Sequence, residues 1–199
     1  MATPKQREDF DKRCAELRRR LSDADFLANR GLGNEAGIFT FCYEPTLEIE
    51  ARDYFGRLEA DSKAGKLGSG GIWANVIVRN LYDILLSIAE DKRILGKLAE
   101  QELKRGPEGL LKQIQRIATA EAFVVKMDWQ PHSPGDVLLI TGVGEVYPFM
   151  RVHNILNNMQ SAMRDVPVVV VYPGSYDGGS LSLFDKLNDG NYYRAFDLI

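Results

Sequence analysis

The chain has 199 residues, of which 45% are hydrophobic, and its formal net charge is −3 at pH 7. An apolar share of this size excludes a globally disordered chain and is enough for a substantial core. The negative net charge excludes a polycation that would bind nucleic acid through its overall charge.

The sequence also predicts where the protein works. Cys14 and Cys42 have neither the spacing of a metal site nor the numbers of a disulfide framework, so we expect two ordinary buried thiols. The N-terminus is charged from Lys5 onward, and no apolar run approaches the ~20 residues of a membrane helix. We therefore expect a cytoplasmic protein without a signal peptide and without membrane association.

Residues 1–30 predict an N-terminal helical segment. Thr3 is the expected N-cap, Pro4 fits the first helical position, and Gln6 completes a capping box. Ser22 is expected to cap a short second turn. One apolar face follows from the spacing of four residues: Phe10, Cys14, Leu17 and Leu21.

The sequence predicts four strands, at 37–43, 73–79, 136–141 and 167–172, and the last two are continuous apolar runs. Because these last two runs do not alternate with polar residues, both faces of each of these two strands should be buried, as in a parallel sheet covered by helices. The intervening segments predict helices, with Thr46 and Asn80 as N-caps and another helix beginning at Pro148. For 122–129 we favour a helix over a strand, because the 3.6-residue period of the preceding residues continues.

Residues 175–199 predict a C-terminal appendage. Asp189-Gly190 is a hairpin-turn signal between 181–184 and 192–198. The predicted fold is therefore a single α/β domain over 1–199 with three layers. It has a mainly parallel sheet of about four strands, helices on both faces, and a short antiparallel hairpin at the sheet edge.

The glycine turn after the third strand is the first candidate site. Gly142 and Gly144 match the start of a dinucleotide-binding fingerprint, but no glycine stands at its third position. A helix beginning at Pro148 would still offer backbone N–H groups to an anion, with Arg151 as a charged partner. Alternatively, the glycines only permit a tight turn, and Arg151 pairs with a carboxylate such as Glu145.

Other reaction centres are not predicted. Residues 64–71 contain four glycines, but Gly65-Lys66 is not followed by Ser or Thr, so this loop is not a P-loop. His132 and His153 are distant from each other and lack cysteine partners, which argues against zinc. No nucleophile elbow is found. We expect no catalytic residue, no metal site and no cofactor.

The C-terminal segment is the second candidate site, because aromatic residues are dense there. Tyrosine, phenylalanine and arginine are enriched in protein interfaces, although core and hairpin packing would explain some of these residues. The candidate interface consists of Tyr176, Tyr192, Tyr193, Arg194 and Phe196.

Three segments, 141–156, 167–178 and 191–196, resemble the motifs of the BrxB family of the BREX bacteriophage-exclusion systems, as do 31–35 and 43–45. The resemblance implies a bacterial cytoplasmic protein, generally regarded as non-enzymatic, that works with other BREX proteins. These include a large ATPase, a DNA adenine methyltransferase and PglZ, an alkaline-phosphatase-like protein. The resemblance implies no catalytic residues.

The leading hypothesis is a non-catalytic adaptor, with PglZ as the first candidate partner and DNA reached only indirectly. The rival is a nucleotide- or phosphate-binding α/β protein, related to P-loop-like folds but without a functional phosphate loop. DNA binding as part of a complex is a third possibility, and it would depend steeply on salt.

Overall fold

A computed structural model describes residues 2–30, 37–69, 71–159, 162–188 and 196–198. The helices are α1 (Pro4–Arg20), α2 (Ala24–Leu27), α3 (Glu48–Lys63), α4 (Leu81–Asp91), α5 (Leu98–Ile117), α6 (Ala120–Met127), α7 (Val143–Val146) and α8 (Val152–Met159). The strands are β1 (Ile38–Tyr43), β2 (Gly68–Ser69), β3 (Ile72–Trp73), β4 (Asn75–Asn80), β5 (Asp136–Thr141), β6 (Val168–Tyr176), β7 (Leu181–Leu183), β8 (Leu187–Asn188) and β9 (Phe196–Asp197).

The N-terminal helix begins at the predicted capping box. Thr3 Oγ1 accepts a hydrogen bond from the Gln6 backbone N–H, and the Gln6 side chain accepts one from the Thr3 N–H. The next helix, α2, is capped by Asp23, whose side chain accepts from two backbone N–H groups. The prediction of Ser22 as this cap was wrong, because the Ser22 hydroxyl instead donates to the Arg18 carbonyl.

The centre of the sheet consists of the four predicted strands, all parallel, in the order β4-β5-β6-β1. In the described part of the chain, short strands extend it to seven: β9 lies parallel to β1, β7 pairs antiparallel with the end of β6, and β8 pairs with β7. The predicted mixed α/β class is confirmed, but four strands was too low a number. The added strands have two or three residues, too few to show a periodic pattern.

The apolar side chains of β1, β5 and β6 alternate between two cores, one on each face of the sheet. In β5, for example, Val137 and Leu139 pack with α1, α2 and α3, whereas Leu138 and Ile140 pack with α4 to α8. All six residues of β1 are buried. Both-face burial, which the continuous apolar runs at 136–141 and 167–172 predicted, is therefore confirmed for β5 and β6, whereas in β4, at the edge of the sheet, only Val76 is buried.

The predicted C-terminal hairpin is described only in part. Among the described residues, 181–184 does not pair with 196–198: β7 pairs with β6 and β8, and β9 runs parallel to β1 with Phe196 opposite Phe39. The proposed turn at Asp189-Gly190 lies outside the described residues. β6 continues past its apolar run to Tyr176, and β7 pairs with this extension.

The prediction of a helix beginning at Pro148 was also wrong. Gly142 precedes α7, which ends at Val146, and α8 begins only at Val152. Tyr147 is extended, with φ −69° and ψ 136°, because a residue before proline avoids helical geometry.

The N-cap predictions for α3 and α4 have different outcomes. Thr46 does not cap α3 but lies in a 3-10 turn before it, whereas Asn80 does cap α4. The helix predicted over 122–129 is present as α6. Among the described residues, no helix combines the length and apolar character needed to cross a membrane.

Candidate functional site

The carboxyl ends of the four central strands and the overlying α3 surround a cleft of about 180 Å³, which we call the carboxyl-edge cleft. This is the edge at which open α/β sheets place their ligand sites. The lining residues come from every central strand and from α3 and α7: Tyr43, Glu48, Ala51, Arg52, Phe55, Gly56, Glu59, Val78, Asn80, Thr141, Gly142, Glu145 and Val171.

The apolar part of the lining comes from both the sheet and α3. Phe55, Ala51 and Val171 are buried, and Val78 is half-buried beside them. Gly56 follows Phe55 on α3, and apart from its chain neighbours and the surrounding backbone of α3, no heavy atom of the described residues lies within 4 Å of the position that a Cβ would take there. The cleft therefore has an apolar wall and open space above Gly56.

A hydrogen-bonded chain of polar groups links β1 to α3. The Tyr43 hydroxyl donates to Glu48 Oε2 at 2.5 Å, and Arg52 Nε donates to Glu48 Oε1 at 2.7 Å. Burial and the neighbouring Glu48 carboxylate raise the pKa of Tyr43 well above its usual range, so the phenol remains a donor. The hydrogen bond to Glu48 also raises the pKa of Arg52.

The same chain continues to the turns after β4 and β5. The Arg52 guanidinium also pairs with Glu145, and Asn80 Nδ2 donates to Glu145 Oε2 at 3.0 Å. Asn80 Oδ1 accepts from the Tyr82 and Asp83 backbone N–H groups, which caps α4. Asn80 thus connects the cleft to a helix terminus.

Gly142 is required by two features of this turn. Its φ of +74° is left-handed, and a Cβ there would lie 2.5 Å from Asn80 Oδ1. A side chain at this position would therefore displace the Asn80 cap.

The charge and the volume of the carboxyl-edge cleft restrict the groups that it can bind. Three of its described lining residues are carboxylates (Glu48, Glu59 and Glu145), and one, Arg52, is a cation. The volume is below the roughly 300–1,000 Å³ of small-molecule pockets. The cleft therefore suits a single cationic group with an apolar stem better than a phosphate or a nucleotide.

The four residues of the predicted anion-binding turn do not form one site in the structure. Gly142 and Glu145 line the carboxyl-edge cleft. Gly144 instead lies against Phe184 in the turn after β7, because a Cβ there would lie 2.9 Å from the Phe184 ring. Arg151 is exposed and lines a separate depression of about 550 Å³. Since no helix begins at Pro148, the helix N-terminus proposed to hold an anion does not exist.

The predicted aromatic interface is described only in part. Tyr176 is half-buried and packs against the core on the α4 to α8 face. Phe196 places its backbone opposite Phe39. Tyr192, Tyr193 and Arg194 lie outside the described residues.

A second surface, which the sequence reasoning did not identify, lies at the amino ends of the parallel strands. Trp73 of β3 is 57% exposed and Ile72 is 37% exposed. Ile72 also borders a depression of about 400 Å³ whose apolar lining includes Ala24, Leu27, Ala28 and Pro134. We call Trp73, Ile72 and this lining the amino-edge surface. The available signal in the sequence is a large aromatic residue beside four glycines, but the apolar residues that follow Trp73 predict only that it begins a strand.

Buried polar groups fix the backbone beside this surface. Asp136 is 4% exposed and accepts hydrogen bonds from Asn75 Nδ2 at 2.8 Å, Trp129 Nε1 at 3.0 Å and the Ser133 N–H at 2.9 Å. Burial acts to raise the pKa of Asp136, but these three hydrogen bonds together outweigh it and lower the pKa. His132 Nδ1 lies 2.7 Å from Asp165 in the same region.

The two cysteines are buried as predicted, and burial raises the pKa of each thiol to about 12. Over the described part of the chain, no three His, Cys, Asp or Glu side chains are grouped so that they could hold a metal ion.

Comparisons with known proteins agree with the resemblance seen in the sequence motifs. The family described as BREX protein BrxB matches residues 77–198. A BREX protein BrxB from Bacillus cereus (strain H3081.97) is 36% identical over 197 residues, which cover 96% of this chain and 97% of the relative. A BREX protein BrxB from Escherichia coli O9:H4 (strain HS) is 29% identical over 198 residues, covering 96% and 92%. No solved structure matches the chain.

Proposed function

Because this chain belongs to the BrxB family of BREX proteins, we propose that it is a non-catalytic adaptor in a BREX phage-defence complex. It binds other proteins of that system. PglZ is the first candidate partner, and the BREX ATPase and methyltransferase are further candidates. DNA is reached only through these proteins.

The exposure of Trp73 is the observation that carries this proposal. Tryptophan is one of the residue types enriched among the few side chains that dominate the binding energy of interfaces. Trp73 is 57% exposed on a strand of two residues, next to the exposed Ile72, which borders a depression with a partly apolar lining. An exposed apolar cluster of this kind is typical of a docking surface.

The aromatic C-terminal segment remains a second predicted interface. Its residues Tyr176, Tyr192, Tyr193, Arg194 and Phe196 have the composition expected of such a surface. Asp197 of β9 pairs with Arg13 of α1 at 3.0 Å, so the end of this segment is held against the N-terminal helix.

The rival hypothesis, a nucleotide- or phosphate-binding protein, has less support. The carboxyl-edge cleft, in which a nucleotide would be expected, is lined by Glu48, Glu59 and Glu145. These carboxylates repel phosphate, and Arg52 is already paired with two of them. The charge of the cleft therefore favours the adaptor over the nucleotide-binding protein.

Affinity capture from cells that carry the complete BREX system tests the adaptor role. The tagged wild-type chain should recover PglZ or another BREX protein, identified by mass spectrometry. Trp73→Ala should weaken binding by about 2 kcal/mol, or roughly 30-fold, if this residue dominates the interface.

Tyr82→Ala is the matched control, because Tyr82 is also an exposed aromatic residue, 37% exposed on α4. It should capture as much partner as the wild type. Recovery of no BREX protein by the wild-type chain would contradict the adaptor role. Equal recovery by Trp73→Ala and the wild type would exclude the amino-edge surface as the docking site.

A further inference from the structure

Gly56 leaves the carboxyl-edge cleft open. Glycine is an unfavourable residue in the interior of a helix, since alanine would lose less backbone entropy. At Gly56 neither a left-handed φ nor a close neighbour requires it, because the added Cβ would meet no described heavy atom within 4 Å. The missing side chain has one clear structural consequence, which is room in the cleft for an incoming group.

The walls of the cleft define the chemistry of that group. The apolar surface of Phe55, Val78 and Val171 suits an aliphatic stem. The carboxylates suit a cationic head. Arg52 demonstrates that a guanidinium fits this setting, because it pairs with both Glu48 and Glu145.

Glu59 can exchange its present ion pair for one with a bound cation with little loss of folding stability. Its present partner is Lys63, at 2.7 Å, whose side chain is 71% exposed. A solvent-exposed pair one helical turn apart contributes little to stability, so a better-buried cation can replace it readily. With a second guanidinium bound, the carboxylates of the cleft would still outnumber the cations.

The surface next to the carboxyl-edge cleft also has an excess of carboxylates. On the other side of Tyr43, a second depression of about 200 Å³ is lined by Asp9, Glu44 and Asp185, with Arg13 as its cation. Two neighbouring depressions with excess carboxylates favour a partner whose contacting segment is basic, through complementary potentials and faster association.

We propose that the carboxyl-edge cleft receives an arginine side chain of a partner protein, an assignment that rests on the adaptor function proposed above. The stem lies over Gly56 against the apolar wall, and the guanidinium bonds the carboxylates. Arginine is favoured over lysine because its planar group bonds carboxylates in a bidentate manner and is more weakly hydrated.

An NMR titration of the full chain with the peptide Ac-Gly-Arg-Gly-NH2 tests the cleft without any partner. The backbone amides of Gly56 and Gly142 should shift and saturate with the arginine peptide. The citrulline peptide, which has the same shape without the charge, should cause no saturable shift. Absence of saturable shifts with the arginine peptide, or equal shifts with citrulline, would overturn the proposal. Stronger binding of the lysine peptide would overturn the assignment to arginine.

Gly56→Leu fills the cleft without removing a charge and should abolish the saturable shifts. Gly96→Leu is its control, because Gly96 also has no described heavy atom within 4 Å and lies in the 3-10 turn Leu95–Lys97, away from the cleft. Gly96→Leu should bind the arginine peptide as the wild type does. Unchanged binding by Gly56→Leu would contradict the proposed position of the side chain.

The same two variants in the affinity capture separate this proposal from the adaptor function. Gly56→Leu should recover at least ~10-fold less BREX partner than Gly96→Leu. If both recover the partner equally, the adaptor function stands and the cleft is not its docking site. If the wild type recovers no BREX protein while the peptide results hold, the adaptor function fails and the cleft remains a guanidinium site whose partner lies outside the BREX system.

Discussion

Asp136 is the buried carboxylate that fixes the start of the central strand β5. Its three donors, Asn75, Trp129 and Ser133, come from the neighbouring strand β4 and from the loop before β5. In the sequence it was visible only as an acidic residue opening an apolar run. Its partners could not be predicted, because the residue spacing does not show which distant groups meet.

Replacement of this carboxylate should be strongly destabilising. Asp136→Ala removes three hydrogen bonds and leaves their donors unsatisfied, so the free energy of unfolding should fall by about 3 kcal/mol. Urea unfolding measures this as a lower midpoint with an unchanged slope. Asp53→Ala, at an exposed position on α3, is the control and should change the midpoint little.

The same pair of proteins should differ in pH dependence. The pKa of Asp136 is lower in the folded state than in the unfolded chain, so its contribution to stability is fully present above the unfolded pKa. This contribution is lost as the pH falls through the lower, folded pKa. The stability difference between the wild type and Asp136→Ala should therefore shrink below about pH 4. A constant difference between pH 7 and pH 3 would contradict this assignment.

At the scale of elements, α4 depends on a single residue for its N-terminus. Asn80→Ala removes both cap hydrogen bonds and the bond to Glu145, and should cost about 1–2 kcal/mol. For a chain of this length the melting temperature should fall by roughly 2–8 °C. Thermal unfolding followed by circular dichroism measures the change.

Asn80→Ser separates the two roles of this side chain. Serine keeps an oxygen that can cap the helix but loses the amide that donates to Glu145, so its melting temperature should lie close to that of the wild type. If serine lowers the melting temperature as much as alanine does, the bond to Glu145 outweighs the cap.

Helices and strands could be predicted from the sequence where their burial requires a continuous or periodic pattern of apolar residues. The strand at 136–141 matches β5 because burial on both faces requires apolar residues at consecutive positions. β9 has two residues and pairs with β1, which is far away in the sequence, so no local pattern could reveal it. Pro148 was misjudged because proline is compatible both with the first turn of a helix and with the turn after one.

At the scale of the whole molecule, two candidate docking surfaces lie at opposite ends of the parallel strands. The amino-edge surface precedes β4 and β5, and the carboxyl-edge cleft follows β1, β4, β5 and β6. An adaptor with this arrangement can contact two parts of a complex at once. The sequence identified Gly142 and Glu145 in the cleft, but it could not show that α3 covers them, since α3 is about 80 residues away in the chain.

The binding of the purified chain to purified PglZ of the same BREX system, measured by isothermal titration calorimetry, tests the adaptor role most directly. The adaptor role predicts saturable binding that Trp73→Ala weakens by roughly 30-fold, corresponding to about 2 kcal/mol. If the folded wild-type chain shows no saturable binding to PglZ, to the BREX ATPase or to the methyltransferase, the adaptor role is contradicted.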